Sequence, residues 1–169
     1  MPRSFDFSAD YPASVAQIHS AFADEQYWRS RLADSGADAA TLDSLEVHDD
    51  GGITVTTTQI LHSDKLPGIV TQLHRGDLHI KREERWGAII DGRCTATINA
   101  TIEGAPVKVT GGAALNPSAS GVGARMTLDA SVEVRIPLVG RKVESFIGTQ
   151  LVELLTAEQR FTTGWVGTR

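Results

Sequence analysis

A change of hydrophobic period near residue 137 constrains the fold of this chain more than any other feature. From about Leu45 to Ile136, apolar and polar residues alternate in segment after segment. After Pro137 the pattern changes: Val143, Phe146, Ile147, Leu151, Leu154, Leu155, Glu158 and Phe161 recur at i, i+3 and i+4. Arg141, Lys142, Ser145, Thr149, Glu153, Thr156 and Arg160 fill the opposite face. Period two belongs to strands with one buried face, and a period near 3.6 to an amphipathic helix. The terminal segment therefore predicts a helix of roughly six turns, about 30 Å long, ending near Gly164. A sheet with one apolar face and a single long apolar helical stripe have only each other to bury against.

Ahead of this region, Phe5, Phe7, Ala9 and Tyr11 alternate with Ser4, Asp6, Ser8 and Asp10, which predicts a strand over 4–11. Ser14 is placed to cap a short helix whose Val15, Ile18 and Phe22 share one face. Asp24 is placed to cap a second, carrying Trp28 and Leu32 and ended by Gly36. Asp49-Asp50-Gly51-Gly52 forms a tight-turn signal between segments 45–49 and 53–61. Segments 78–86, 93–103, 106–115 and 124–136 follow. Asp91-Gly92, Gly104-Ala105-Pro106 and the Gly/Ser/Pro-rich stretch 116–123 separate them. Seven strands on short connections predict an antiparallel meander. The span 69–77 stays open, since Gly76 fits either a bulge or a break. No repeat or linker divides the chain, so residues 1–169 are expected to form one α+β domain.

Charge excludes one class of partner. The chain carries 16 basic and 21 acidic residues, 16 − 21 = −5, and the deficit of basic residues lies in its first half. Neither half supplies the basic surface that phosphate backbones need, so nucleic acid is not an expected partner. No apolar run approaches the ~18–20 residues of a membrane span, and Met1-Pro2-Arg3-Ser4-Phe5-Asp6 has no signal-peptide core, so a cytoplasmic location is expected. The single Cys94 cannot form an internal disulfide or a multi-thiolate metal site, and it reads as a small buried hydrophobe. The five histidines are scattered, and no cofactor or nucleotide-binding motif is present. Neither a metal nor a cofactor is therefore expected.

Strand parity carries the functional signal. In 93–103 and 124–136 one face is cleanly apolar, and Ala96, Ala100, Gly111, Ala113, Ala124 and Ala130 put small residues on the inward positions of three strands. That pattern fits either a cavity between sheet and helix or close helix–sheet contact. Two strands break the pattern. The inward face of 53–61 includes Thr57 and Gln59, and that of 78–86 includes Arg82 and Glu84. A charge on a core face must be paired or solvated. Arg82 and Glu84, two apart on one strand face, are within reach of each other. They fit a polar cluster fixing a ligand's head group, an internal structural ion pair, or a β-bulge that returns both to solvent. With Phe146, Ile147, Gln150 and Leu154 on the helix, Thr57, Gln59, Arg82 and Glu84 are the candidate ligand contacts.

In a meander the third, fifth and seventh strands run the same way, so connections 62–70, 103–106 and 137–141 gather at one edge. Leu66, Ile69, Val70 and Leu138 there are the candidate cavity gate. The same apolar residues also suit a cap on the core, or a surface for transient contact with a membrane or protein.

A strand, two short helices, six strands and a long terminal helix resemble the helix-grip fold of the START-like superfamily. That group includes lipid-transfer domains, pollen allergens, plant hormone receptors and aromatic polyketide cyclases. More narrowly, the chain resembles an actinobacterial family of unknown function within it. The resemblance rests on Arg3-Ser4-Phe5-Asp6, Leu66-Pro67-Gly68, Val134-Arg135-Ile136-Pro137-Leu138-Val139-Gly140, and Glu158-Gln159-Arg160-Phe161 shortly before Trp165. It spans nearly the whole chain and implies the fold, but it brings no catalytic motif. The expected function is binding or transfer of a small hydrophobic or amphipathic molecule of lipid, polyketide or isoprenoid class. The alternatives are a cyclase-like enzyme using Arg82 and Glu84, and a protein-interaction module.

Overall fold

The structure, a computed structural model, describes residues 2–71 and 74–168, with Lys65 by its backbone alone. Its elements run β1 (Arg3–Tyr11), α1 (Val15–Phe22), α2 (Glu25–Asp34), β2 (Ala39–Val47), β3 (Ile53–Leu61), a 3₁₀ turn (Ser63–Lys65) and the single turn α3 (Gly68–Thr71). There follow β4 (Leu78–Trp86), β5 (Cys94–Ile102), β6 (Val107–Pro117), β7 (Ala124–Val134) and α4 (Gly140–Gly167). The strands form one antiparallel sheet in the order β1-β7-β6-β5-β4-β3-β2. Strands two to seven are thus the expected meander, and β1 pairs outside β7. The α1–α2 segment carries the chain from one edge of the sheet to the other.

Both expected caps are present. The Ser14 hydroxyl accepts from Gln17 N while the Gln17 side chain accepts from Ser14 N, and Asp24 accepts from Gln26 N. These bonds satisfy amides that a helix start otherwise leaves bare.

Two elements run several residues beyond their sequence signal. β2 begins at Ala39, not at 45, because a bulge between Leu42 and Ser44 interrupts its alternation. Leu42 and Leu45 both end up opposite inward-facing residues of β3, Thr57 and Val55. Asp43, the extra residue, accepts from the hydroxyls of Thr41 and Thr58. α4 runs 28 residues, about 42 Å, because Gly164 sits inside it with an ordinary helical backbone. The ambiguous span after residue 68 starts as the helical turn α3, while Gln72 and Leu73 lie outside the described residues.

Rows of facing residues run across the sheet. Ile53, Trp86, Ala96, Ala113, Leu128 and Phe7 are in register, and the next row is Val55, Glu84, Ile98, Gly111, Ala130 and Phe5. Against the first row pack α1, α2 and the C-terminal half of α4. Phe22 lies 4.9 Å from Trp86, Tyr27 makes an edge contact with Trp28 at 5.2 Å, and Phe161 and Trp165 complete the layer. Trp28 Nε1 donates to Phe22 O at 2.7 Å, so the indole is satisfied as well as buried. At the opposite end Val107, Val132, Val134 and Val143 form a second small core with Ile102, Ala105 and Ile136.

The N-terminal half of α4 reaches the sheet closely because Gly148 has no side chain. A Cβ there would overlap the ring of Phe5 on β1. In an isolated helix, Gly→Ala gains about 1 kcal/mol. Here Gly148→Ala is expected to lower stability by about 1–2 kcal/mol, since overpacking outweighs that gain. In a Phe5→Ala background the same substitution should turn neutral or stabilising. Urea unfolding of the four proteins checks the reversal.

Candidate functional site

Four charged side chains from three elements meet between sheet and helix. Arg82 and Glu84 point inward from β4, Arg31 comes from the buried face of α2, and Glu158 from the apolar stripe of α4. Arg31 Nη2 lies 2.6 Å from Glu158 Oε1 and 3.7 Å from Glu84 Oε2. Arg82 Nη1 donates to both Glu158 oxygens, at 2.8 Å and 3.2 Å. Arg82 Nε is 3.1 Å from Glu84 Oε2, an ion-pair distance without hydrogen-bond alignment. The other Glu84 oxygen accepts from Trp86 Nε1 at 3.1 Å. None of the four side chains exceeds 16% exposure. Two guanidiniums against two carboxylates leave the cluster uncharged as a whole.

The surroundings lock it in place. Arg31 stacks over Trp28, its Cζ 4.7 Å from the ring centre, and its Nη1 donates to Tyr27 OH at 3.3 Å. Tyr27 OH and Thr162 Oγ1 are 2.6 Å apart, and Thr162 in turn donates to Glu158 O at 2.8 Å. Burial alone would raise the Glu158 carboxyl, but Arg31 and Arg82 outweigh it and hold its pKa at about 2. Burial works to lower Arg31 and Arg82 too, yet the facing carboxylates, Glu158 first, leave both above the usual arginine range. Burial pushes the Tyr27 phenol up, and it pushes the Cys94 thiol up to about 11, which keeps that thiol protonated and unreactive.

Beside this cluster lies a cavity of about 730 Å³. Its walls are aliphatic: Leu78 and Ile80 of β4, Ile98 and Ala100 of β5, Val109 and Gly111 of β6, and Leu128 and Ala130 of β7. Leu66, Pro67 and Val70 come from the β3–β4 connection, and Val143 through Ala157 from α4. The lining includes exposed Gly36, Pro67, Gln150, Glu153 and Ala157, so the cavity opens between the α2–β2 loop, residues 66–70 and α4. The six small inward residues divide between two roles. Ala100, Gly111 and Ala130 line the cavity, whereas Ala96, Ala113 and Ala124 sit in the core that the aromatic layer fills.

The sequence-derived site residues separate in the same way. Gln59, Arg82, Phe146, Ile147, Gln150 and Leu154 line the cavity. Thr57 and Glu84 do not: they face a recess of about 30 Å³ behind it, shared with Trp28, Arg31, Glu158 and Phe161. Arg82 borders both spaces, so Glu84 is a partner of Arg82 rather than a cavity residue. Of the gate residues, Leu66 and Val70 line the cavity. Ile69 packs instead against the second core beside Ile102 and Ile136. Leu138 is fully solvent-exposed, its backbone at φ 73° turning the side chain off the rim. Of the two loops expected at the mouth, 66–70 lends Leu66, Pro67 and Val70 to the cavity lining, and none of 137–139 lines it.

Arg31 and Glu158 were not among the expected site residues. Each carried a signal: Glu158 interrupts the apolar stripe of the last helix, and Arg31 shares a helix face with Tyr27 and Trp28. Among the described residues no group of three His, Cys, Asp or Glu is placed to hold a metal, and no helix is long and apolar enough to cross a membrane.

The chain matches the family described as "Protein of unknown function (DUF2505)" over residues 6–166, and it belongs to that family. Uncharacterized proteins of Mycobacterium tuberculosis and Mycobacterium bovis are 52% identical to it over 170 residues, with 98% of each chain covered. Among solved structures it is similar to the Zhui aromatase/cyclase from a Streptomyces species. The TM-score is 0.62 at 10% identity, covering 100% of this chain and 96% of that one. Norcoclaurine synthase from Thalictrum flavum is similar at TM-score 0.57 and 13% identity, covering 100% and 88%. Ara h 8.0201 is similar at 0.55 and 12%, covering 100% of both chains. At such identities the likeness is one of fold: the chain has the START-like helix-grip architecture.

The Glu158 carboxyl makes stability depend on acid. Its pKa is depressed from about 4.3 in an unfolded chain to about 2 in the folded one. Between those values the unfolded state binds more protons, so stability rises with pH. The contribution, on the order of 3 kcal/mol, is complete above about pH 4.5 and is lost as pH falls toward 2. Glu158→Gln is expected to be less stable at neutral pH, by about 3 kcal/mol, because it leaves a buried guanidinium uncompensated. The gap to wild type should narrow as pH falls from about 4.5 and close near pH 2. Urea midpoints measured across this pH range test both signs.

Proposed function

We propose that this member of the family binds a small apolar or amphipathic molecule in the cavity between sheet and helix, as a binding or transfer protein. The observation that carries the reading is the cavity itself. Protein interiors are close-packed, with few voids larger than a water molecule. A space of about 730 Å³ with aliphatic walls lies instead within the range of small-molecule sites, roughly 300–1,000 Å³. Ala100 and Ala130 keep it open where larger residues would fill it, while at Gly111 a Cβ would collide with the Asp129 carbonyl of the neighbouring strand. Leu66 and Val70 at its opening, and Phe146, Ile147 and Leu154 on α4, are the proposed apolar contacts. Gln59, Gln150 and Arg82 supply the polar ones. The same fold occurs in proteins named as an aromatase/cyclase and a norcoclaurine synthase.

A catalytic role for Arg82 and Glu84 is less well supported. Both Glu84 oxygens are engaged, one by Trp86 and one by Arg82, and the residue does not border the cavity. A general base needs a free oxygen within hydrogen-bond reach of its proton.

Nile red, an uncharged apolar dye, is expected to bind the full chain saturably and one-to-one, with a blue-shifted emission. Ala100→Phe fills the cavity from β5. It should weaken binding at least tenfold, about 1.4 kcal/mol, while the melting temperature stays level or rises. Dye binding unchanged by the filled cavity would contradict the proposal.

A further inference from the structure

We propose that the cavity is selective for uncharged ligands that carry oxygen, such as an alcohol, ketone or phenol on an apolar skeleton, and rejects carboxylates and phosphates. The inference rests on the cavity being a ligand site, and it follows from how the charges beside the cavity are already spent.

Among the described lining residues Arg82 is the one cation, and it is committed. Its Nη1 holds both oxygens of Glu158 and its Nε sits 3.1 Å from Glu84. Arg31, the neighbouring cation, is 2.6 Å from the same Glu158 and lines only the small recess. An anionic ligand head group that reached Arg82 would meet two carboxylates already bound there. It would have to coexist with them as a third anion or displace one, leaving a buried carboxylate without its partner. At the opening the exposed Glu153 adds another anion. A cationic ligand fares no better inside, because both buried carboxylates are already neutralised.

What remains unspent is uncharged or already balanced. The Gln59 and Gln150 carboxamides line the cavity and make no hydrogen bond among the described residues. Each offers a carbonyl and an NH₂ group, so each can accept from a hydroxyl or donate to a ketone. Neither hydrogen bond to Glu158 uses Arg82 Nη2, which leaves it able to donate to a neutral oxygen without breaking those bonds. An otherwise aliphatic wall then rewards a hydrocarbon body.

Retinol and retinoic acid share a skeleton and differ in an alcohol against a carboxylate, which makes them suitable probes. Binding to the full chain is read by quenching of its tryptophan fluorescence at about pH 7.5. Retinol is expected to bind at least tenfold more tightly. Glu158→Gln, which removes one negative charge at nearly constant shape, should shift that ratio toward retinoic acid by tenfold or more. Retinoic acid binding as well as retinol, or retinol failing to bind, overturns the assignment. Nile red tells this failure from that of the pocket: the dye still binds if only the selectivity is wrong, and does not if the cavity takes no ligand.

Discussion

The compensated cluster of Arg31, Arg82, Glu84 and Glu158 is the interaction on which the interior depends. It is the point where α2, the sheet and α4 are joined by directional bonds as well as by apolar contact. Apolar surfaces alone can slide, because the hydrophobic effect has no direction. Bonds from Glu158 to two arginines on separate elements fix where α4 stands along the sheet. The cluster is also a boundary. On one side Tyr27, Trp28, Trp86, Phe161 and Trp165 fill the space over Ala96 and Ala113; on the other, Ala100, Gly111 and Ala130 line the cavity.

Buried ion pairs are weak evidence for stability, since desolvation cancels much of their attraction and apolar replacements of similar volume often do as well. This cluster is therefore better understood through what it presents than through what it contributes to folding. It gives an aliphatic cavity one polar wall without a net charge. Because Arg82 borders both the packed recess and the cavity, an occupant would touch the same guanidinium that positions the long helix. Ligand binding and helix placement would then share a residue.

Much of this was readable in the residues, and the misses have physical causes. Period two, period 3.6 and the two caps located the strands and helices because each reflects a face that must be buried. The first half of β2 escaped notice since the bulge at Asp43 shifts the alternation by one residue, and Gly164 misled because a glycine inside a helix costs little when the rest of the helix packs. Parity placed Arg82 and Glu84 inside correctly but could not supply their partners, which lie 51 and 76 residues from Arg82 along the chain. A stricter demand that every inward charge be neutralised would have drawn attention to Glu158 on the apolar stripe. Small residues marked the cavity without distinguishing Ala100 from Ala96, because only the placement of distant aromatic rings decides which alanine faces a void. Leu138 shows the limit of reading loops by hydropathy, as a backbone at positive φ turns an apolar side chain outward.

The central claim is that the space between sheet and helix is built to be occupied. Native mass spectrometry of the full chain tests it most directly, on freshly purified protein and after incubation with a neutral lipid extract, beside the Ala100→Phe variant. The account predicts a reproducible excess of a few hundred daltons on the wild-type chain that the filled variant does not carry. The same bare mass for both proteins, before and after the extract, would contradict it.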